Sequence, residues 1–108
     1  MKVLFVCNAN VGRSQVAEAL FNQLSDVPST SAGTVADAII ERTNPVSRRL
    51  KDGGSSAITY MSEQGIDVSE SLRDQLTSEM LQEADKVIVM ADEDNWPDYL
   101  RNSGKVIV

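Results

Sequence analysis

Cys7 opens the run Cys7-Asn8-Ala9-Asn10-Val11-Gly12-Arg13-Ser14, with a guanidinium six residues after the thiol and a hydroxyl directly after that. A thiol attacks as its thiolate, and loop N–H groups or a helix N-terminus beside the sulfur favour that form. The planar fork of Arg13 matches two oxygens of a phosphoryl group. Ser14 is placed to donate a hydrogen bond to the thiolate and later to ease its departure. Asn10 can lock the loop by bonding backbone groups, and the small Ala9 and Gly12 let the backbone come close to a ligand. The chemistry expected is nucleophilic attack on a tetrahedral oxyanion.

That chemistry needs a strand before the loop and a helix after it. Lys2 to Val6 reads KVLFV, Lys86 to Met90 reads KVIVM and Lys105 to Val108 reads KVIV. Such short apolar runs without alternation suit strands buried on both faces of a parallel sheet. A weaker strand falls at Ser29 to Ala32. Val16, Leu20 and Leu24 recur at fours, predicting an amphipathic helix over 14–25. Ser55 or Ser56 caps a second helix that Gly65 stops, and Thr77 caps a third ending near Ala84. A fourth runs from Pro97 to Asn102. Residues 33–54 hold Gly33, Pro45, Gly53 and Gly54 and read mostly as a long loop. The alternation predicts one α/β domain over 1–108, a three-layer sandwich on a four-stranded parallel sheet of order 2-1-3-4. In such sheets ligands bind beyond the carboxyl ends of the strands, where the Cys7 loop lies and aims several N–H groups at one point.

Composition narrows the function further. The chain has 108 residues, one cysteine, no histidine and a net charge of −6. One cysteine excludes an internal disulfide framework. Without histidine, nearly every zinc site and the Ser-His-Asp and Cys-His arrangements are excluded as well. No metal or cofactor is expected. The acidic balance argues against nucleic acid and against an anionic membrane surface. No membrane span or signal peptide is read, so a reduced, cytoplasmic setting is expected.

The C-x5-R-S loop after the first strand, with Ala17-Glu18-Ala19 inside the helix, resembles the low-molecular-weight protein tyrosine phosphatase family. Its superfamily includes the thioredoxin-coupled arsenate reductases. Ser31-Ala32-Gly33-Thr34, Asn44-Pro45-Val46-Ser47, Gly65-Ile66-Asp67, Gln75-Leu76-Thr77 and the run from Ala84 to Met90 continue the resemblance in order. The resemblance implies a metal-free phosphomonoesterase acting on a phosphorylated protein or a small phosphate ester. Cys7 would form a phosphocysteine, Arg13 stabilise the equatorial oxygens, and Ser14 assist the thiolate. The N–H groups of Asn8, Ala9, Asn10, Val11, Gly12, Arg13 and Ser14 would cradle the phosphate, with Asn10 and Ser31 buttressing the loop.

Departures from the family shape the remaining expectations. The family's Asp-Pro pair, whose aspartate protonates the leaving oxygen, is absent, and the chain reaches Val108 without the family's last helix. A C-terminally truncated, slow enzyme is expected, with Asp92, Asp94 or Asp98 as substitute acids or as capping and surface residues. An uncovered sheet face would favour self-association. Gly12 stands where many relatives carry a second cysteine, so no intraloop disulfide can protect Cys7. An arsenate reductase using an external thiol, or a non-catalytic phosphate- or oxyanion-binding module, are the alternatives. Val11 resembles the aliphatic residue of phosphotyrosine-type enzymes. Gln15 replaces a proline, and no role is assigned to it. Arg42, Arg48 and Arg49 either rim the cleft or form solvated surface, and Trp96 and Tyr99 either wall the cleft or pack the last helix.

Overall fold

The computed structural model describes residues 2–10, 12–43, 47–52, 56–91, 94 and 96–107. β1 (Val3–Cys7) is buried along its whole length, which is why its sequence lacks alternation. It is flanked by β2 (Ser29–Gly33) and β3 (Lys86–Val89). A fourth strand, β4 (Val106–Ile107), adds two residues beside β3. All pairings are parallel and the order is β2-β1-β3-β4.

α1 (Arg13–Leu24) follows the Cys7 loop and packs on β1 and β2. Phe21 meets Phe5 edge-on, with ring centroids 5.6 Å apart. α3 (Ser56–Glu63) packs against α1, and Leu50, Met61 and Val68 form a buried cluster with Val16, Ala19 and Leu20. On the opposite face, Leu4, Val6, Val87 and Val89 bury against Leu81 of α4 (Ser78–Glu83) and Leu100 of α5 (Asp98–Arg101). The α4 start is capped as expected: Thr77 Oγ1 accepts from the Met80 amide at 3.3 Å. Lys105 Nζ closes its far end, donating to the Leu81 carbonyl at 2.8 Å and the Gln82 carbonyl at 3.2 Å.

The stretch 33–54 departs from the expectation of a long loop. It contains α2 (Ala36–Thr43) and a 3₁₀ turn at Leu50–Asp52. Ala36 and Ile40 lie one turn apart and are both buried, a stripe too short to stand out beside Gly33 and Pro45. The expected Ser55 cap, Asn44-Pro45-Val46 and Gly53-Gly54 lie outside the described residues. Trp96 and Tyr99 pack the last helix instead of walling the cleft. Trp96 Nε1 donates to the Ala91 carbonyl at 3.0 Å, its ring lies 5.9 Å from the Arg101 guanidinium, and Tyr99 Oη donates to the Leu76 carbonyl at 3.1 Å.

Candidate active site

Cys7 is the last residue of β1 and is buried. The chain after β2 holds the start of its loop: the Thr34 amide donates to the Cys7 carbonyl and the Val35 amide to the Asn8 carbonyl, both at 2.9 Å. Asn10 turns the loop with φ +55°, a left-handed conformation that asparagine tolerates better than most residues. The turn lies directly against Gly33. A β-carbon there would stand 2.6 Å from the Asn8 oxygen, 2.8 Å from the Asn10 nitrogen and 2.9 Å from the Ala9 carbonyl carbon.

The hydrogen bonds of Asn10 fix which way its carboxamide faces. Its Oδ1 accepts from the Asp74 amide at 2.7 Å and from Gln15 Nε2 at 3.1 Å. Rotating the carboxamide by half a turn would set donors against donors, so Nδ2 must face the other way. There it donates to Ser14 Oγ at 2.8 Å and to Ser31 Oγ at 3.0 Å. Ser31 Oγ in turn donates to Glu18 Oε1 at 2.9 Å. Ser14 Oγ accepts from Asn10, which leaves its own proton free to point at Cys7 Sγ, 2.9 Å away, and a thiolate there would accept it. The Asn10 amide adds a second donor to the sulfur at 3.2 Å. Two polar groups thus converge on one sulfur.

Burial pushes the Glu18 carboxyl above the ordinary range. The Ser31 bond opposes that shift and the nearby Asp74 charge adds to it. Asp74 is also raised, first by burial, with Arg48 opposing and Asp37 adding.

Gln15 and Arg73 also hold the loop, and nothing in the sequence marks them for that part. Gln15 is buried, and its Nε2 also reaches the Asn10 carbonyl at 3.2 Å and the Leu72 carbonyl at 2.9 Å. Arg73 is buried beneath the loop, with Nε and Nη2 each 3.3 Å from the Ala9 carbonyl oxygen. No local pattern marks either residue, because both find their partners only in the folded chain.

Arg13, the first residue of α1, is exposed beside the loop. With Gly12 it lines an open, mostly apolar groove of about 620 Å³, continued by Val16, Leu20, Tyr60 and Met90. Val11 and Asp92 lie outside the described residues. Asp94 is exposed, and Asp98 occupies the first turn of α5, where a carboxylate suits the helix N-terminus. Among the described residues no hydrogen bond or ion pair joins either to the Cys7 loop. Arg48 pairs with Asp37, and Arg49 with Asp52 and Glu70, while Arg42 lies in the last turn of α2. No group of three potential metal ligands occurs among the described residues, and none of their helices is long and apolar enough to cross a membrane.

The family model for low molecular weight phosphotyrosine protein phosphatases matches residues 2–105. A probable low molecular weight protein-tyrosine-phosphatase EpsP of Ralstonia solanacearum is 37% identical over 89 residues, covering 82% of this chain and 54% of its own. The chain therefore spans about half the length of the curated relatives it matches. Vibrio vulnificus Wzb, solved in complex with benzylphosphonate, superposes with a TM-score of 0.72 at 26% identity, over 99% of this chain and 71% of its own. A thioredoxin-dependent arsenate reductase of Corynebacterium glutamicum superposes with a TM-score of 0.63 at 29% identity, over 89% of this chain and 43% of its own.

Proposed function

The chain belongs to the low molecular weight phosphotyrosine protein phosphatase family, and from that premise we propose that it hydrolyses phosphate monoesters through Cys7. The substrates are phosphotyrosine in proteins or small aryl phosphates. The observation that carries this reading is the convergence of Ser14 Oγ at 2.9 Å and the Asn10 amide at 3.2 Å on one sulfur at a strand–loop–helix junction.

The Cys7 thiolate attacks phosphorus in line with the ester oxygen. The S–P bond forms as the P–O bond breaks, and its electron pair leaves on the alkoxide or aryl oxide. N–H groups from Asn8 to Ser14, with the Arg13 guanidinium, take the charge on the equatorial oxygens. Water then attacks phosphorus and gives its proton to solvent. The S–P electron pair returns to sulfur, where the Ser14 hydroxyl stabilises it, and phosphate departs. The apolar groove beside Gly12 and Arg13 suits an aromatic leaving group.

General acid–base assistance is worth roughly 10²–10⁴-fold. Residues 1–108 hold no Asp-Pro pair, and within them Asp92, Asp94 and Asp98 are the carboxyls proposed to protonate the leaving oxygen, with aryl esters, the better leaving groups, depending on that proton least. A time course of p-nitrophenol release from p-nitrophenyl phosphate, beside Cys7→Ser, tests the reading. Steady release lost in the variant is expected. A burst of one equivalent means that attack survives and phosphocysteine persists. No release from folded protein overturns hydrolysis and leaves an oxyanion-binding module, recognised by phosphate or vanadate binding.

The likeness to an arsenate reductase favours one second reading. The Cys7 thiolate would bond arsenic of arsenate with loss of water. An external small thiol would then attack the sulfur, forming a mixed disulfide as arsenic takes two electrons and leaves as arsenite. Thiol-dependent arsenite formation separates this reading from hydrolysis. A reduced, cytoplasmic setting suits either one.

Ile88 of β3, paired beside Phe5, and Met90 just after the strand, beside Val16 of α1, are only half-buried. We propose self-association through that face, and sedimentation showing a monomer at all accessible concentrations would overturn it.

A further inference from the structure

Arg73 is 3% exposed, and among the described residues no carboxylate lies within ion-pair distance of it. A guanidinium stays charged at any working pH, and a buried charge is costly unless another charge or oriented dipoles compensate it. Its side chain bonds one acceptor, the Ala9 carbonyl oxygen, at 3.3 Å from both Nε and Nη2. That carbonyl belongs to the Ala9–Asn10 peptide, whose N–H donates to Cys7 Sγ at 3.2 Å. A single peptide group thus stands between a cation and the sulfur, its dipole aligned with both.

We propose that Arg73 is a positioning residue that keeps Cys7 in its anionic form, by polarising the Ala9–Asn10 peptide and serving as the counter-charge of the thiolate. Hydrogen bonds in series strengthen one another, so a cation on the carbonyl makes the amide at the other end a better donor. Gly33 makes the arrangement possible, because a β-carbon there would lie 2.9 Å from the Ala9 carbonyl carbon and 2.8 Å from the Asn10 nitrogen. Burial and then the Arg48 charge push the Arg73 guanidinium below its ordinary value, and a negative charge at Cys7 would oppose that shift. The other charged groups near the loop are committed elsewhere or lie at the surface. Arg48 pairs with Asp37, Glu18 accepts from Ser31, and Arg13 is exposed at the start of α1. Asp74 is held by its amide on Asn10.

The inference rests on the reading of Cys7 as a thiolate nucleophile, and its test does not need turnover. Cys7 is the sole cysteine, so alkylation by iodoacetamide, followed by mass spectrometry across pH, reports one sulfur. Arg73→Gln keeps a donor for the Ala9 carbonyl and removes the charge. Its alkylation midpoint should move up by about one pH unit, which slows alkylation roughly tenfold well below the midpoint. Arg73→Lys keeps the charge and should follow the wild type. A folded Arg73→Gln variant with an unmoved midpoint overturns the proposal. If that variant does not fold, Arg73→Met, which keeps the bulk and removes the charge, decides in the same sense: a midpoint raised by about one unit supports the proposal, and an unmoved midpoint overturns it. Inactivity of the wild type toward p-nitrophenyl phosphate, with a shifted Arg73→Gln profile, would remove the hydrolytic reading and leave this one standing.

Discussion

Asn10 Nδ2 stands 2.8 Å from Ser14 Oγ and, by donating to it, leaves the Ser14 proton free for Cys7 Sγ 2.9 Å away. Asn10→Asp keeps the shape and removes the donor. Ser14 would then give its proton to the new carboxylate instead of the sulfur. The expected result is a fall in kcat on p-nitrophenyl phosphate of about 10²-fold, the scale for losing one preorganised donor, with KM changed far less. An unchanged kcat in folded Asn10→Asp would remove the polarity argument.

Gln15 is the donor shared among the Asn10 carbonyl, Asn10 Oδ1 and the Leu72 carbonyl. Gln15→Met keeps the volume and leaves those buried acceptors short of a donor, at a cost of about 1–3 kcal/mol. Urea unfolding should show the midpoint falling with the slope unchanged. Gln15→Glu, which presents an acceptor to acceptors, should be worse than Gln15→Met above the carboxylate range.

Gly33→Ala should damage activity and stability together. The new methyl would meet backbone atoms of Asn8, Ala9 and Asn10 at 2.6–2.9 Å, and backbone cannot step aside as a flexible side chain can. A loss of roughly 1–3 kcal/mol is expected, with kcat reduced because the loop itself must shift. Thermal unfolding and p-nitrophenol release check the two effects separately.

Glu18 carries a signed pH dependence. Its folded carboxyl is raised above the ordinary 4.5, chiefly by burial. The native state therefore binds more protons than the unfolded chain in the window above that value, and stability falls as pH rises through it. Glu18→Gln, which still accepts from Ser31, removes the penalty of the buried charge. Its stability gain over wild type should be largest at pH values above the raised value and should shrink as pH falls toward 4.5. A gain that grows on acidification would contradict this account of Glu18.

The elements legible in the sequence are those whose signals are local. The KVLFV run and the i, i+4 repeat of Val16 and Leu20 place a strand and a helix around the loop, and the structure finds both where they were read. Cys7, Asn10, Ser14 and Ser31 are brought together as the motif implies. What could not be read depends on distant partners. Gln15 has no visible purpose until the Leu72 carbonyl, 57 residues on, arrives beside it. Arg73 sits in an unpatterned stretch and gains meaning only from the Ala9 carbonyl, 64 positions away. α2 was missed because two helical turns bracketed by glycine and proline leave too little periodicity to detect. Trp96 and Tyr99 illustrate the opposite limit: residue type alone could not decide between a wall and a packing surface, and backbone acceptors at Ala91 and Leu76 settled it.

The Asp74 amide that orients Asn10 comes 64 residues later in the chain. During translation at about 5–20 residues per second, that interval lasts roughly 3–13 s. The nascent polypeptide therefore carries its sole sulfhydryl through synthesis before the clamp from residues 72–74 exists. Until then Asn10 lacks the amide that orients its carboxamide. Assembly of the Cys7 loop in this sense waits on the chain as far as Asp74: a ribosome stalled before that residue leaves a chain with the sulfur and without the bond that orients Asn10.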